Sequence, residues 1–252
     1  MQIFLHIEPS VKSLFEARGL RSFADFMSSG DQKVQQLLRV SEDVFYIKRI
    51  EPESLKIHLR TLLCGRRPHS GALRELTLLQ SLRHAGFQTM EPVAWGERRR
   101  LGFPLDGFMV VRKVQGDEVA NLFNRSTGRE KRALMEAAGQ LIGRLHSKGF
   151  FQPVRLKDLI LTEAGLVMID RATSKPWMSR FFRRRAAESL ARAVRRTLRD
   201  GHKIGASSAS AFLRGYHSGL VVCRNVPWTL LRRDIFRAVR REMFKSLRQK
   251  TG

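Results

Sequence analysis

The sequence predicts an α+β chain in two lobes: a small N-terminal lobe built on a sheet (residues 1–112) and a larger, mainly helical C-terminal lobe with a basic tail (residues 113–252). Three observations predict this. Four apolar runs of strand length, at residues 35–40, 44–50, 89–96 and 107–111, all fall in the first half of the chain. The most regular helical stripe, Leu134, Ala137, Ala138, Leu141, Ile142 and Leu145, comes after them. A short hairpin then follows, residues 159–161 and 166–169 around a four-residue loop that holds Gly165, and Asp170 stands directly behind it.

Taken in order, the first forty residues carry the weakest signals. Residues 11–27 read as a helix interrupted at Gly19, and residues 28–31 as a loop. In the strand at 44–50, alternation places Val44, Tyr46, Lys48 and Ile50 on one face. A lysine sharing a face with valine and tyrosine is half buried, either as an edge lysine with its stem on apolar surface or as a ligand. Residues 55–70 form a basic connector with room for a short helix that Pro68 ends. A clear helix runs over 71–85, with Ser70 as cap and Gly86 as stop. Glu75 lies three, four and seven residues before Leu78, Leu79 and Leu82 and so shares their inward face. An acid there needs a cation: a nearby arginine or Lys48.

Arg98, Arg99 and Arg100 read as the turn between the last two strands of the sheet, and residues 112–117 as a polar crossover. Thr127 and Glu130 have the spacing of a capping box ahead of the striped helix, which Gly149 closes. Beyond residue 175 the chain is basic and helical. Residues 186–198 carry Leu190, Val194 and Leu198 on one stripe, the stripe of a lobe helix or, as the lesser reading, of a membrane-surface helix. Residues 201–210 read as a loop and 211–219 as another helix. The tail, residues 228–250, mixes aliphatics with paired arginines; it fits a docked helix, or a surface helix holding Trp228, Phe236 and Phe244 at a membrane interface.

Charge narrows the partners. With 47 Lys and Arg against 23 Asp and Glu the chain carries a net +24 over 252 residues. Such a chain binds something acidic: nucleic acid, an anionic membrane face or a phosphorylated glycolipid. Nucleic acid is the weaker reading, because it rests on charge alone, with no helix-turn-helix, zinc spacing or RNA-stacking motif. Cys64 and Cys223 have no metal spacing and read as reduced thiols of a cytosolic protein. No run of eighteen apolar residues predicts a membrane span, and residues 1–10 lack the pattern of a signal peptide.

The element order (strand with lysine, helix with glutamate, strands, crossover, long helix, loop, hairpin, aspartate) is that of a protein-kinase-like fold. LRELTLLQSLRHAGFQTMEPVAWGE from Leu73, FMVVRKVQG from Phe108, ALMEAAGQLIGRLHSKGF from Ala133 and MID ending at Asp170 resemble the bacterial lipopolysaccharide core kinases, the Kdo/heptose kinase family. The resemblance covers roughly residues 44–171. It implies ATP and Mg2+ as cofactors, a lipopolysaccharide core sugar or related anionic glycolipid as partner, and a cytoplasmic protein peripheral to the inner membrane. By position, Lys48 matches the phosphate-gripping lysine, Glu75 its partner and Asp170 the metal-binding aspartate.

The departures are as informative. Such kinases have a His-x-Asp loop after the long helix, with an Asn or His five residues past the Asp. Here Gln152 stands at the His position, Val154 at the Asp position and Leu159 at the Asn position. Valine accepts no proton and leucine binds no metal. A shifted register with Asp158 as base is disfavoured, because it would move the metal ligand to Glu163 in the hairpin turn. RVSEDVFYIK also holds no glycine-rich phosphate loop. The expectation is a family member with a degenerate catalytic loop, either a very slow kinase or a pseudokinase, whose catalytic residues the sequence leaves unidentified.

Overall fold

A computed structural model describes residues 1–29, 35–40, 43–50, 52–65, 67–169, 181–220 and 226–248. These fall into two compact units, Met1–Val114 and the remainder from Gln115. Helices and antiparallel strands are both present, as the α+β class requires.

The first unit is a five-stranded antiparallel sheet of β1 (Gln2–Ile7), β2 (Gln35–Val40), β3 (Asp43–Ile50), β4 (Pro92–Arg100) and β5 (Phe103–Arg112), in the order β1-β4-β5-β3-β2. The segment read as one broken helix is two, α1 (Pro9–Ala17) and α2 (Phe23–Ser28), with Gly19 at φ 73° between them. Ser22 starts α2 with a full capping box: its hydroxyl accepts from the Asp25 N–H, and the Asp25 carboxylate accepts from the Ser22 N–H at 2.7 Å. Val11, Phe15, Phe23 and Phe26 from these helices meet Phe45, Ile47, Phe108 and Val110 of the sheet in one apolar cluster. Phe26 stacks on Phe108 with ring centroids 4.6 Å apart. Fully burying each such ring is worth ~2–3 kcal/mol, so this cluster fastens α1 and α2 to one face of the sheet.

Two readings of this unit are corrected. Arg98, Arg99 and Arg100 are strand, not turn; the turn is Leu101 and Gly102, both with positive φ (50° and 81°), the backbone hand that matches strand twist in a two-residue hairpin. The arginines stay in the strand because carboxylates await them: Arg98 pairs with Asp106 across the hairpin and Arg99 with Glu97. The strand read from residue 89 begins at Pro92. The basic connector does hold a helix, α3 (Leu55–Leu63), and the clear helix is α4 (Gly71–His84), capped by the Ser70 hydroxyl accepting from the Leu73 N–H.

The second unit holds a three-stranded antiparallel sheet, β6 (Asp117–Glu118), β7 (Leu159–Thr162) and β8 (Gly165–Met168), with helices α5 (Val119–Arg125), α6 (Gly128–Ser147), α7 (Phe182–Arg199), α8 (Ala206–Gly219) and α9 (Trp228–Arg248). The hairpin forms with Gly165 at φ 116°, and β8 stops one residue before Ile169. Gly149, at φ 83°, ends α6. Thr127 is the residue before α6, but its side chain makes no capping bond, so the capping box is not formed. The segment read as a loop through residue 210 turns helical at Ala206.

α6 and α8 cross at backbone contact. Gly139 and Gly143 of α6 face Gly215 and Gly219 of α8, and a Cβ on any of the four would collide with a carbonyl oxygen of the opposite helix. His146 of α6 is fully buried beside this crossing; its ring nitrogens meet the Tyr216 hydroxyl at 2.8 Å and the Ser189 hydroxyl at 3.1 Å, tying α6 to α8 and α7. α7 is a lobe helix as read, with Ala187, Leu190 and Ala191 buried. α9 docks on α7 through Leu231, Ile235 and Ala238, fixed by Arg183–Asp234 and Arg195–Glu242. Trp228 stacks on His217 at 4.6 Å, whereas Phe236 and Phe244 are exposed.

Burial pushes the His146 imidazole down to about 3. The unfolded chain therefore binds a proton that the folded one refuses below about pH 6.5, and stability falls by ~1.4 kcal/mol per unit as pH drops through that range. Melting of the wild type between pH 7 and 5 should show this slope, and His146→Gln should flatten it. A wild-type curve flat over that interval contradicts the assignment.

Candidate active site

In the first unit, β3 aims its side chains alternately at two layers. Phe45 and Ile47 join the cluster under α1 and α2, and Arg49 donates to the Phe26 carbonyl at 2.9 Å and to Ser29, closing the end of α2. Lys48 points the other way, to α4. Its Nζ donates to Glu75 Oε1 at 2.8 Å, and both side chains are about nine-tenths buried. Glu75 sits among Leu78, Leu79 and Leu82, all buried, as the helical spacing requires. The two residues singled out from different elements, 27 positions apart, thus form one buried ion pair. A buried ammonium fixed in place by a carboxylate is a positive charge at a set position, the feature a phosphate-gripping lysine needs.

A second buried cluster in this unit was not legible. Glu97 of β4 is fully buried; it accepts from Arg99 and from the Ser70 N–H, with His69 Nδ1 3.7 Å away. Burial raises its pKa, but the bonds from His69, Ser70 and Arg99 outweigh that and hold the carboxyl at about 2. The cluster ties the start of α4, which presents Glu75, to β4. Its only sequence signal was Glu97 two residues before Arg99, on one face of a strand.

In the second unit, the loop between α6 and β7 has the residues that a catalytic loop lacks. Val154 and Leu159 are buried and line an apolar cavity of about 230 Å3, shared with Leu190 and Ile235. They therefore act as packing groups. Asp158 is buried too, but it is spent locally: both of its oxygens accept from the Arg155 guanidinium, and the Arg155 N–H donates to it at 2.9 Å. The i, i+3 spacing of Arg155 and Asp158 was the available signal. Asp117 pairs with Arg125 at the surface. Asp170 lies outside the described residues. No group of three or more His, Cys, Asp or Glu able to hold a metal ion occurs among the described residues.

Comparison with known proteins fits this picture. Residues 45–152 match the family model described as Lipopolysaccharide kinase (Kdo/WaaP) family. The span includes Lys48, Glu75 and all of α6, and ends at Gln152. No curated protein matches the sequence. Among solved structures, WaaP in complex with acyl carrier protein superposes with a TM-score of 0.64 at 20% identity, over 97% of this chain and 98% of that one. A glucosamine kinase in complex with glucosamine, ADP and inorganic phosphate gives 0.43 at 11% identity, over 80% and 69%. The resemblance drawn from the sequence is borne out by the family model over residues 45–152, and the kinase-like α+β fold by the superposition.

Proposed function

We propose, on the premise that residues 45–152 carry the Kdo/WaaP pattern, that this chain binds ATP as a lipopolysaccharide core kinase does and transfers phosphate to a core sugar slowly or not at all. The observation that carries the reading is the buried Lys48–Glu75 pair. Lys48 would hold the α- and β-phosphates, and Glu75 would hold Lys48 in place. Asp170 is the residue of this chain that would hold Mg2+, which would supply neutralisation of the phosphate charge. Leu159 offers no second ligand, and Val154 no base for an acceptor hydroxyl. Loss of a general base alone costs about 10²–10⁴ in rate. Because Val154 is packed in the interior, a single exchange there would disturb the fold rather than supply a base.

A glycolipid acceptor calls for peripheral contact with an anionic membrane on the cytoplasmic side, and the net charge of +24 suits it. No helix among the described residues is long and apolar enough to cross a membrane. A second reading concerns a protein partner: the apolar cavity of the helical unit offers room for an acyl chain of the kind an acyl carrier protein delivers. Stabilisation by acylated but not by unacylated carrier protein would support it.

The nucleotide claim is tested by thermal shift. ATP with Mg2+ should raise the melting temperature of the wild type, by ~2–3 kcal/mol of added stability at a hundredfold excess over Kd, and should leave Lys48→Ala and Glu75→Gln unmoved. Equal shifts in all three would remove Lys48 from the site. Turnover on lipopolysaccharide core, with Asp170→Ala as control, separates slow from inactive.

A further inference from the structure

Leu59, Leu62 and Leu63 of α3 are exposed. A helix docked on its own domain turns its apolar stripe inward. In α3 the fully buried side chain is His58, 2% exposed and beside Phe103, and neither of its ring nitrogens has a hydrogen-bond partner among the described residues. Ile57 is 44% exposed, Leu59 51%, Leu62 44% and Leu63, at the end of the helix, 89%. Leu59 and Leu63 stand one turn apart and form a ridge. Lys56, three residues before Leu59, is exposed, and so is Arg67, four residues after Leu63. In the same unit β1 lies at the edge of the sheet with Ile3, Phe4 and Leu5 exposed. A groove at that edge is lined by Ile3, Phe4 and Leu5 together with Arg67, His69 and Trp95.

We infer that α3 is a membrane-seating helix, its Leu59–Leu63 ridge entering the headgroup layer of an anionic phospholipid bilayer while Lys56 and Arg67 meet the lipid phosphates. Three observations choose this occupant over a protein. The ridge lies on a short helix with the exposed Lys56 one turn before Leu59, the arrangement of interfacial helices. The unit around it, residues 1–114, holds 18 Lys and Arg against 12 Asp and Glu, a net +6, which favours a surface of negative charge rather than a second copy of itself. In the same unit the exposed apolar residues of β1 share a groove with Arg67, a second place where apolar groups stand beside positive charge. The inference rests on the peripheral-contact part of the proposed function and is independent of phosphoryl transfer. It also moves the contact away from α9, to which the tail's aromatics first pointed.

The test is flotation of the full chain with vesicles of phosphatidylglycerol and phosphatidylethanolamine, against vesicles of phosphatidylcholine. The wild type should float with the anionic vesicles only. Leu59→Ser/Leu62→Ser/Leu63→Ser should lose about tenfold or more in partitioning, and Lys56→Glu/Arg67→Glu should lose the preference for anionic lipid. These side chains are exposed, so circular dichroism melts should match the wild type. Leu63→Trp adds a direct reading: its emission should shift to the blue with anionic vesicles. If the leucine variant floats as the wild type does and Phe236→Ser/Phe244→Ser is the one that fails, α3 is not the contact, while peripheral binding stands. If the wild type does not float at all, both ideas fall. If the serine variant dissolves a dimer and leaves flotation unchanged, the ridge is a self-association surface and the inference is overturned.

Discussion

Replacing Gly215 with alanine should lower the melting temperature by about 6–12 °C, because a methyl group has no room where two helix backbones touch. At this position a Cβ would collide with the Glu136 carbonyl oxygen, and neither partner is a flexible side chain that can swing aside. α6 and α8 must separate, and the loss spreads along the crossing: Gly139 against Phe212, Gly143 against Tyr216, Gly219 against Gln140. Separation also lengthens the 2.8 Å bond from His146 to Tyr216. The expected cost is ~3 kcal/mol or more, at the upper end for overpacking, and a leucine in place of alanine should leave no folded protein. Gly205, just before α8, has open space where its Cβ would go, and Gly205→Ala should stay within ~1 kcal/mol. Calorimetry on the three variants decides the matter; equal melting of Gly215→Ala and Gly205→Ala would mean the helices do not cross in contact.

Arg99→Ala should cost ~3–5 kcal/mol, since it leaves the fully buried Glu97 without its main partner. Arg99 also donates to the Pro68 carbonyl at 2.9 Å, so the segment leading into α4 loosens with it. The acid side of the stability curve carries a second signature. Glu97 titrates at about 2 in the folded protein against 4.5 ordinarily, so its contribution is complete above about pH 4.5 and disappears as pH falls toward 2. In Arg99→Ala that acid-sensitive portion should shrink, and Glu97→Gln/Arg99→Met should recover much of the stability at neutral pH. Urea melts at pH 7 and pH 4 read both effects. A double variant no better than the single one would show that the cluster's worth lies in something other than charge.

Legibility in the sequence followed what each residue leans on. Lys48 and Glu75 could be picked out because each breaks a regular pattern on its own element, a cation on a strand face and an acid on a leucine face. The hairpin and the ends of α4 and α6 were marked by glycines whose positive φ the local sequence demands. Arg98 and Arg99 were misread because what keeps them in a strand is a carboxylate on the same hairpin, and unpaired arginines look like a turn. β1 gave no pattern because its side chains are exposed or partly exposed on both faces, so no alternation is selected. The four glycines of the α6–α8 crossing were silent for another reason: each is small only with respect to a helix some seventy residues away. Asp170, the third member of the expected site, lies outside the described residues.

Lys48 and Arg49 are neighbours on β3, yet one is bound to α4 and the other to α2. The strand is thus a rivet through the sheet, with one head on each side. Insertion of a single residue ahead of them within β3 would exchange the faces, turning the guanidinium to the α4 side and the ammonium to the α2 side. The same insertion at Leu101 and Gly102 would merely enlarge a loop. For this unit, the spacing from Phe45 to Arg49 is therefore less forgiving of length than of composition.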